Sequence, residues 1–217
     1  MAGRGRIETC IFILGGIEEM VEIMRRPRII RETARGLETM SLEDDFFQKR
    51  EIFLTTGIEA EVSTELIKQL LYLNSMDPMK EITLYINSPG GEINSGIALY
   101  DCLCIMQAPV RTVCIGIAAS MGALIFLAGD RRAMLPHTKL MIHDPYYAGG
   151  PSNQKPLEME KRLQDLMKIR DTICEIISER TGKEKQKVQE ITQYDSYFDA
   201  HEALEFGLAT EIVEQFE

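Results

Sequence analysis

Ser120 is a candidate nucleophile because of the turn in which it lies. It sits in Ala118-Ala119-Ser120-Met121-Gly122, where an apolar, strand-like run gives way to a helical pattern. At a helix N-terminus, free amides and the helix dipole favour negative charge, and small neighbours leave room for a substrate to reach the hydroxyl. The turn is not the Gly-x-Ser-x-Gly elbow of α/β-hydrolases, since Ala118 replaces the first glycine. A plain N-cap is the competing interpretation, and for a lone serine at such a turn it is the commoner one.

A second junction, Asn87-Ser88-Pro89-Gly90-Gly91, has the composition of an oxyanion-binding loop. Consecutive glycines let the backbone bend so that neighbouring N–H groups point at one spot. A tight turn without any ligand is an equally good explanation of the two glycines. Both junctions follow strand-like runs, and in α/β folds the active groups cluster where strands lead into helices.

Three histidines are available as the base that a serine nucleophile needs. His143 ends the segment KLMIH, at the kind of strand end where catalytic groups are held. His137 follows Pro136 in a turn region, and His201 lies in a polar helix start, where exposure to solvent is expected. A single histidine is more often structural than catalytic, so the role of His143 depends on its partners.

A carboxylate is needed to orient that imidazole. Asp144 is adjacent, but neighbours along a strand point to opposite faces, so it is a poor candidate. Asp195, which lies between helices in Gln193-Tyr194-Asp195-Ser196, is the better one. Taken alone, Asp195 is more simply explained as a turn residue.

The elements that must position these residues alternate between strands and helices. Strands are expected at 51–55, 81–87, 110–117, 139–143 and 208–213. Helices are expected at 63–73 with Ser63 as the cap, 92–106, 120–128 and 157–181, the last closed by Gly182. Asp199 and Glu202 form a capping box for a short helix that Gly207 closes. This alternation predicts an α/β fold with parallel strands.

Residues 1–45 differ in pattern from the rest of the chain. Arginines and glutamates alternate there, with Pro27 and Gly36 as breakers. We expect an atypical, partly ordered N-terminal extension ahead of a single domain at 46–217, with a docking or gating arm as the alternative. Met40 is an alternative start position for the chain.

Composition narrows the class of protein. A net charge of −10 argues against nucleic acid as a partner, because a basic face normally supplies that affinity. No run reaches the roughly 20 apolar residues of a membrane-spanning helix, so no membrane partner is expected. Five cysteines at irregular spacing favour a cytoplasmic location, and Glu18-Glu19 disfavours a signal peptide. The sequence has neither zinc-ligand spacing nor a phosphate-binding loop.

Five stretches together resemble the ClpP family of serine peptidases, between residues 46 and 213. In chain order they are KREIFL at 49–54, YINSPGG at 85–91, GIAASMGA at 116–123, MIHDP at 141–145 and DSYFDAHEALEFGL at 195–208. Any one of them could arise by chance, but five in the family's order form a specific match. The resemblance implies an α/β, crotonase-like superhelix of β-β-α units, with a protruding handle helix at 157–181.

The resemblance also implies a role for each candidate residue. Ser120 corresponds to the nucleophile, His143 to the general base and Asp195 to the carboxylate that orients it. Gly91 and Met121 match the positions whose backbone N–H groups form the oxyanion hole. The implied activity is that of a serine endopeptidase that cleaves unfolded polypeptides in an ATP-dependent Clp protease. No cofactor is implied, because the partner ATPase uses the ATP.

Members of the family assemble as homo-oligomers of two stacked seven-subunit rings, and a AAA+ unfoldase such as ClpX or ClpA feeds them. This sequence departs from the pattern in three places. Residues 1–45 lack a recognisable axial-loop segment, Pro151 and Pro156 lie in or near the substrate-pairing strand, and Tyr194 replaces a common ring-linking arginine. A single ring, a mixed ring with a second ClpP-type subunit, or a weakly active structural subunit are therefore alternatives. A crotonase-type acyl-CoA enzyme is the least favoured, because a shared fold does not give function.

Overall fold

The computed structural model describes residues 27–33, 36–147 and 155–215, and the chain divides into two compact units, Met1–Lys49 and Arg50–Glu217. In the first unit, β1 (Arg28–Thr33) and β2 (Gly36–Ser41) pair as an antiparallel hairpin, and helix α1 (Leu42–Gln48) follows. None of these three elements was predicted from the sequence. The first 26 residues of the predicted extension lie outside the described residues.

Helix α1 is held to the hairpin of its own unit by charge. The Ser41 hydroxyl accepts a hydrogen bond from the Asp44 amide and the Asp44 carboxylate accepts one from the Ser41 amide, which makes a capping box. The buried Asp45 carboxylate pairs with Arg31 at 2.8 Å and with Lys49 at 2.7 Å. The hydrogen bond from Lys49 holds the pKa of Asp45 below its ordinary value.

The second unit is built on a mainly parallel sheet. The strands β3 (Glu51–Leu54), β4 (Ile82–Ser88), β5 (Val110–Ala119), β6 (Arg131–Met134) and β9 (Glu211–Ile212) are parallel neighbours in the order β3-β4-β5-β6-β9. Strand β7 (Lys139–Ile142) also pairs with β5 in parallel, and β8 (Ser196–Phe198) pairs with β7 in antiparallel fashion. The predicted α/β fold with parallel strands is therefore confirmed.

Strand β5 has different neighbours along its length, and this positions the candidate site. Its first half, from Arg111 to Cys114, pairs with β6, whereas its end, from Ile117 to Ala119, pairs with β7. Because Ala119 lies opposite Met141, the chain leaves β5 and β7 at nearly the same level. Residues that follow the two strands are consequently brought close to each other.

Six helices complete the described part of the second unit. They are α2 (Ala60–Met76), α3 (Ile93–Ile105), α4 (Met121–Ala128), α5 (Pro156–Thr181), α6 (Lys185–Thr192) and α7 (Ala200–Phe206). Helix α4 has the sequence MGALIFLA, which is apolar on every side, and all eight of its residues are buried. A helix without a polar face belongs in the core, and this one begins directly after Ser120.

Helix α5 is buried over only part of its length. Ile173 and Ile177 pack into the core, whereas Leu157, Leu163 and Met167 nearer the start of the helix are exposed. Gly182 ends the helix in the left-handed conformation, as the sequence predicted. The capping box of Asp199 and Glu202 on α7 is confirmed as well.

One local prediction was wrong and one strand was not predicted, both for reasons of packing. Helix α2 begins at Ala60 with Glu59 as its N-cap, and Ser63 lies inside the helix, where its buried hydroxyl donates to the Ser95 carbonyl at 2.6 Å. Strand β6 was missed because it opens with Arg131-Arg132. Arg132 is nevertheless buried, since it donates to the carbonyls of Gly207 and Leu208.

Candidate active site

Ser120 lies in a strained turn between β5 and α4. Its φ of 54° and ψ of −122° fall in a region that residues other than glycine rarely occupy. It stands at the N-cap position of α4, yet its hydroxyl makes no capping hydrogen bond. Its amide donates to the Met141 carbonyl at 2.8 Å, which ties the turn to β7. The N-cap interpretation therefore does not explain Ser120, and backbone strain of about 1–3 kcal/mol is concentrated at this residue.

The Ser120 hydroxyl contacts His143 and does not cap the helix. The Nε2 of His143 lies 2.8 Å from the Ser120 Oγ, within ordinary hydrogen-bond distance. His143 follows the last residue of β7, and its side chain is only 11% exposed. The tilted ring of Tyr146 packs against the imidazole, with 5.5 Å between centroids. The two candidates proposed from separate sequence motifs are thus in direct contact.

Asp195 lies on the other side of the same imidazole. Its Oδ1 is 3.6 Å from the His143 Nδ1, close enough for an ion pair and slightly too long for a hydrogen bond. The pairing of β7 with β8 explains the approach, because Ile142, just before His143, lies opposite Ser196, just after Asp195. The Asp195 side chain is 65% exposed, so solvent still competes for the carboxylate.

Two residues whose amides are candidate oxyanion donors, Gly91 and Met121, come from different elements. Gly91 forms a parallel bridge with Ile58 that uses the Gly90 carbonyl and the Glu92 amide, which leaves the N–H of Gly91 outside the bridge. Met121 is the first residue of α4, where a helix has amides without intrahelical acceptors. Both residues line the cavity that contains Ser120.

The glycine loop and the serine turn are in close contact. Gly90 has a φ of 93°, and a Cβ at this position would lie 2.6 Å from the Ala119 carbonyl oxygen and 2.8 Å from the Ser120 Cβ. The Ser88 hydroxyl holds the loop, since it donates to the Thr56 carbonyl and accepts from the Gly90 amide. Only glycine fits at position 90, both for its backbone conformation and for space.

The segments that lead into the glycine loop and the serine turn also contact each other, at Asn87 and Gly116. The β4–β5 register shifts between Ile86 and Ser88, and the Asn87 side chain accepts a hydrogen bond from the Ile117 amide at 3.1 Å. A Cβ on Gly116 would collide with the Asn87 carboxamide oxygen. Asn87 and Gly116 were part of the quoted motifs, but the sequence did not indicate that they contact each other.

A cavity of about 900 Å³ surrounds the site. It is lined by residues 89–94, Ser120, Met121, Leu124, 141–143, 145–147, Ile169, Ile173, Ile177 and Asp195. Helices α4 and α5 supply its apolar wall, while the loop after β7 supplies Tyr146 and Tyr147. The guanidinium of Arg162 lies 4.5 Å from the centre of the Tyr147 ring. The cavity is large enough for several residues of an extended peptide.

The remaining sequence candidates are not brought to the site. His137 and His201 are exposed, and neither lines the cavity. Asp144 turns to Arg170 on α5, with 2.6 Å between the Oδ2 and Nε atoms. Two charged residues of α5, Arg170 and Arg180, are not simply solvated, because they are partly buried and hydrogen-bonded to backbone carbonyls. Among the described residues, no group of three or more His, Cys, Asp or Glu is arranged to hold a metal ion.

Fold and cavity together define the chain as an α/β protein whose candidate site lies at the ends of two adjacent strands. A family model described as Clp protease matches residues 34–216. The chain therefore belongs to the Clp protease family and contains a ClpP-type peptidase domain, so the predicted ClpP-like fold is confirmed. Within the ranges that the structure describes, no helix is both long and apolar enough to cross a membrane.

Proposed function

We propose that the chain is a serine endopeptidase in which Ser120 is the nucleophile, His143 the general base and Asp195 the orienting carboxylate. The observation that carries the proposal is the 2.8 Å contact between the Ser120 Oγ and the His143 Nε2. A serine hydroxyl is a weak nucleophile unless an adjacent base accepts its proton. The strained backbone of Ser120 supports the same role, since strain of this kind clusters at active sites.

In the proposed reaction, the Ser120 oxygen attacks the carbonyl carbon of a peptide while the hydroxyl proton moves to the His143 Nε2. The charged tetrahedral oxygen then accepts hydrogen bonds from the Gly91 and Met121 amides. One such donor typically contributes about 2.7–4 kcal/mol to the transition state. His143 returns its proton to the leaving amine, and water releases the acyl-enzyme by the same steps. No cofactor is needed for this chemistry.

Asp195 must approach His143 slightly for full activity. At 3.6 Å its carboxylate is a few tenths of an ångström beyond hydrogen-bond distance from the Nδ1 atom. Catalytic hydrogen bonds are often long in the absence of substrate and tighten in the complex. A closer carboxylate would fix the tautomer with the proton on Nδ1, which leaves Nε2 free to accept the serine proton.

Access to such a site is proposed to be controlled by assembly. Clp proteases generally form oligomeric rings that work with ATPases, and we propose the same for this chain: seven-subunit rings, single or stacked, fed with unfolded polypeptides by a AAA+ unfoldase such as ClpX or ClpA. The exposed Leu157, Leu163 and Met167 on α5 support an interface, because large apolar side chains are seldom left in water together.

A structural or weakly active subunit of a mixed ring is the second candidate. The long distance between Asp195 and His143 and the exposure of Asp195 favour it, because an imidazole without its carboxylate is a poorer base. The two candidates differ in whether Ser120 is reactive. Both include the same fold and the same type of assembly.

Labelling with a fluorophosphonate probe tests the proposal, since the probe reacts only with an activated serine. We expect labelling of the full chain at Ser120, none with Ser120→Ala, and undiminished labelling with Ser75→Ala, which removes a surface hydroxyl that bonds the Tyr72 carbonyl on α2. An assembled particle that fails to react would exclude the peptidase and leave the structural subunit. The native mass of the assembly, alone and with a second ClpP-type chain, tests the ring.

A further inference from the structure

Asp144, the residue after His143, is fixed by one contact to each of two helices, and its partner Arg170 makes a further contact between them. Its Oδ2 lies 2.6 Å from the Nε of Arg170 on α5. The second terminal nitrogen of the same guanidinium donates to the Gln189 carbonyl on α6 at 3.1 Å. The Asp144 amide donates to the Thr192 carbonyl, at the end of α6, at 2.6 Å. Side chain and main chain of one residue thus join the end of β7 to α5 and α6.

These contacts hold the chain close to both His143 and Asp195. Asp144 directly follows His143, so its main-chain hydrogen bond fixes the backbone from which the imidazole projects. Thr192 precedes Asp195 by three residues and ends the helix that leads to it. The Ser196 hydroxyl donates to the Ile191 carbonyl at 2.8 Å, which ties the far side of the Asp195 turn to the same helix end. The base and its carboxylate therefore share one anchor.

The pair is also more constrained than a surface ion pair. The side chains of Arg170 and Asp144 are 19% and 28% exposed, and the Asp144 Oδ1 is buried without a protein hydrogen-bond partner among the described residues. Arg170 is thus the cation that compensates this carboxylate. Removing one partner of a sheltered pair leaves the other charge uncompensated, which destabilises the structure around it.

We propose that Asp144 and Arg170 act together as positioning residues that hold His143 in line with Ser120 and Asp195. They touch neither the serine nor the substrate in the proposed reaction and act only through the imidazole and its carboxylate. The inference rests on the proposed peptidase function and deepens it. It gives a role to Asp144, which is a poor candidate to orient the imidazole directly, and to Arg170 on α5.

A neighbouring ion pair provides the matched control. Asp171, next to Arg170 on α5, pairs with Lys185 on α6 at 2.9 Å, so it also joins these two helices. Its ion pair does not include Asp144, the residue that follows His143. If the Asp144–Arg170 pair only stabilises the contact between α5 and α6, Asp144→Asn and Asp171→Asn will have similar effects. If it positions His143, only the first will slow the chemistry.

The experiment measures the rate constant of fluorophosphonate labelling, and kcat and KM for a short peptide ester, on the full chain in its native assembly. For Asp144→Asn and Arg170→Gln we expect labelling and kcat to fall on the order of 10- to 100-fold, with KM within about twofold, since small misplacements of a catalytic group cost this much. The double variant is expected to be no slower than the worse single variant, because the two side chains act as a unit. Asp171→Asn is expected to label like the parent.

Arg170→Lys is included because a loss of labelling in Arg170→Gln could also result from misfolding. It keeps a cation beside Asp144 but cannot also bond the Gln189 carbonyl in the same geometry, so a smaller fall in labelling is expected. Thermal unfolding and native mass of each variant are recorded alongside. Equal losses of labelling for Asp144→Asn and Asp171→Asn, or a parent-like rate for both Arg170 variants, would overturn the positioning role. A fall in kcat/KM that comes entirely from a higher KM, with kcat unchanged, would also overturn the positioning role.

The outcome also separates this inference from the proposed function. If the parent chain is labelled at Ser120 and Asp144→Asn is labelled equally fast, the peptidase proposal stands and the positioning role is excluded. If the parent chain is not labelled at all, both are excluded together. Faster labelling of the parent than of the Asp144 and Arg170 variants, with Ser120→Ala unlabelled, supports both.

Discussion

Gly90 and Ser120 lie back to back, on loops that are thirty residues apart in the sequence. A Cβ at position 90 would approach the Ser120 Cβ to 2.8 Å, and the same atom would lie 3.0 Å from the Met121 amide nitrogen. The loop that carries Gly91 therefore also forms the back wall of the serine turn. The proposed nucleophile and one proposed oxyanion donor are held in position by one contact.

Gly90→Ala should disturb both groups at once. The methyl group would collide with the Ala119 carbonyl, and a φ of 93° is strained for any other residue. We expect the free energy of unfolding to fall by about 1–3 kcal/mol and fluorophosphonate labelling of Ser120 to slow at least tenfold. Gly57→Ala is the control, since a Cβ there meets only the Gly90 carbonyl oxygen, at 3.7 Å. Parent-like labelling of Gly90→Ala would contradict the close packing.

Gly116→Ala and Asn87→Ala should interact energetically. The first introduces a methyl group where the Asn87 carboxamide oxygen lies, and the second removes that oxygen together with its hydrogen bond to the Ile117 amide. We expect Gly116→Ala to lower stability by about 1–3 kcal/mol, as overpacking does, and Asn87→Ala by about 0.5–1.5 kcal/mol. The double variant has no collision, so its loss of unfolding free energy should be smaller than the sum of the losses in the two single variants. Denaturant unfolding measures the cycle, and simple additivity would show that the two side chains do not touch.

Arg180 should contribute to the stability of the buried helix α4. Its guanidinium donates to the carbonyls of Leu127, Ala128 and Gly129, which end that helix without intrahelical donors. Arg180→Met keeps the aliphatic stem and leaves these acceptors unpaired, so a loss of about 1–3 kcal/mol is expected in denaturant unfolding. Lys168→Met, on an exposed part of α5, removes only a surface pair with Asp165 and should cost less than about 1 kcal/mol. Equal losses would refute the capping role.

Glu211 should make the second unit more stable at neutral than at acid pH. Burial opposes its ionisation, but the hydrogen bonds from Arg131 and Arg111 outweigh that effect and hold the pKa of Glu211 below its ordinary value. Because the folded-state pKa is depressed, the contribution is complete above the unfolded value of about 4.3 and is lost as the pH falls through the folded value. We expect the difference in Tm between the parent and Glu211→Gln to be largest near neutral pH.

The same difference in Tm should shrink progressively once the pH is below about 4.3. Glu211 is partly exposed, so the contribution is about 1 kcal/mol or less. Glu205→Gln, at an exposed position of α7, provides the comparison. A Glu211→Gln penalty that is unchanged down to pH 3 would mean that its ion pairs contribute nothing.

Most of the fold could be predicted from the sequence because its elements are strongly patterned. Strand β4 alternates between buried and less buried residues, and β5 is a β-branched run, so both were located to within two residues. The boundaries of α3 and α5 were found within one residue, because turn residues such as Gly182 mark helix ends by a local mechanism. Strand β6 could not be found, because the burial of Arg132 depends on carbonyls contributed by a distant part of the chain.

The candidate site was predicted only where residue type alone is informative. Residue type and motif order pointed to Ser120, His143 and Asp195, but nothing local indicated the distances between them. The positive φ of Ser120 arises from the junction of β5, β7 and α4, and no feature of its own sequence predicts it. Arg170 was overlooked because a charged residue on an amphipathic helix is usually solvated, and its partner lies on another element.

The hydrogen bond from the Ser120 amide to the Met141 carbonyl has a mechanical consequence. Met141 belongs to the strand that leads into His143, so this bond joins the turn that carries the hydroxyl to the strand that carries the imidazole. Asp195 directly precedes a different strand, β8, and its carboxylate lies 3.6 Å from the His143 Nδ1. The serine and the histidine are therefore at bonding distance before any substrate arrives, whereas the 3.6 Å contact with the acid is the one that must shorten in the proposed reaction.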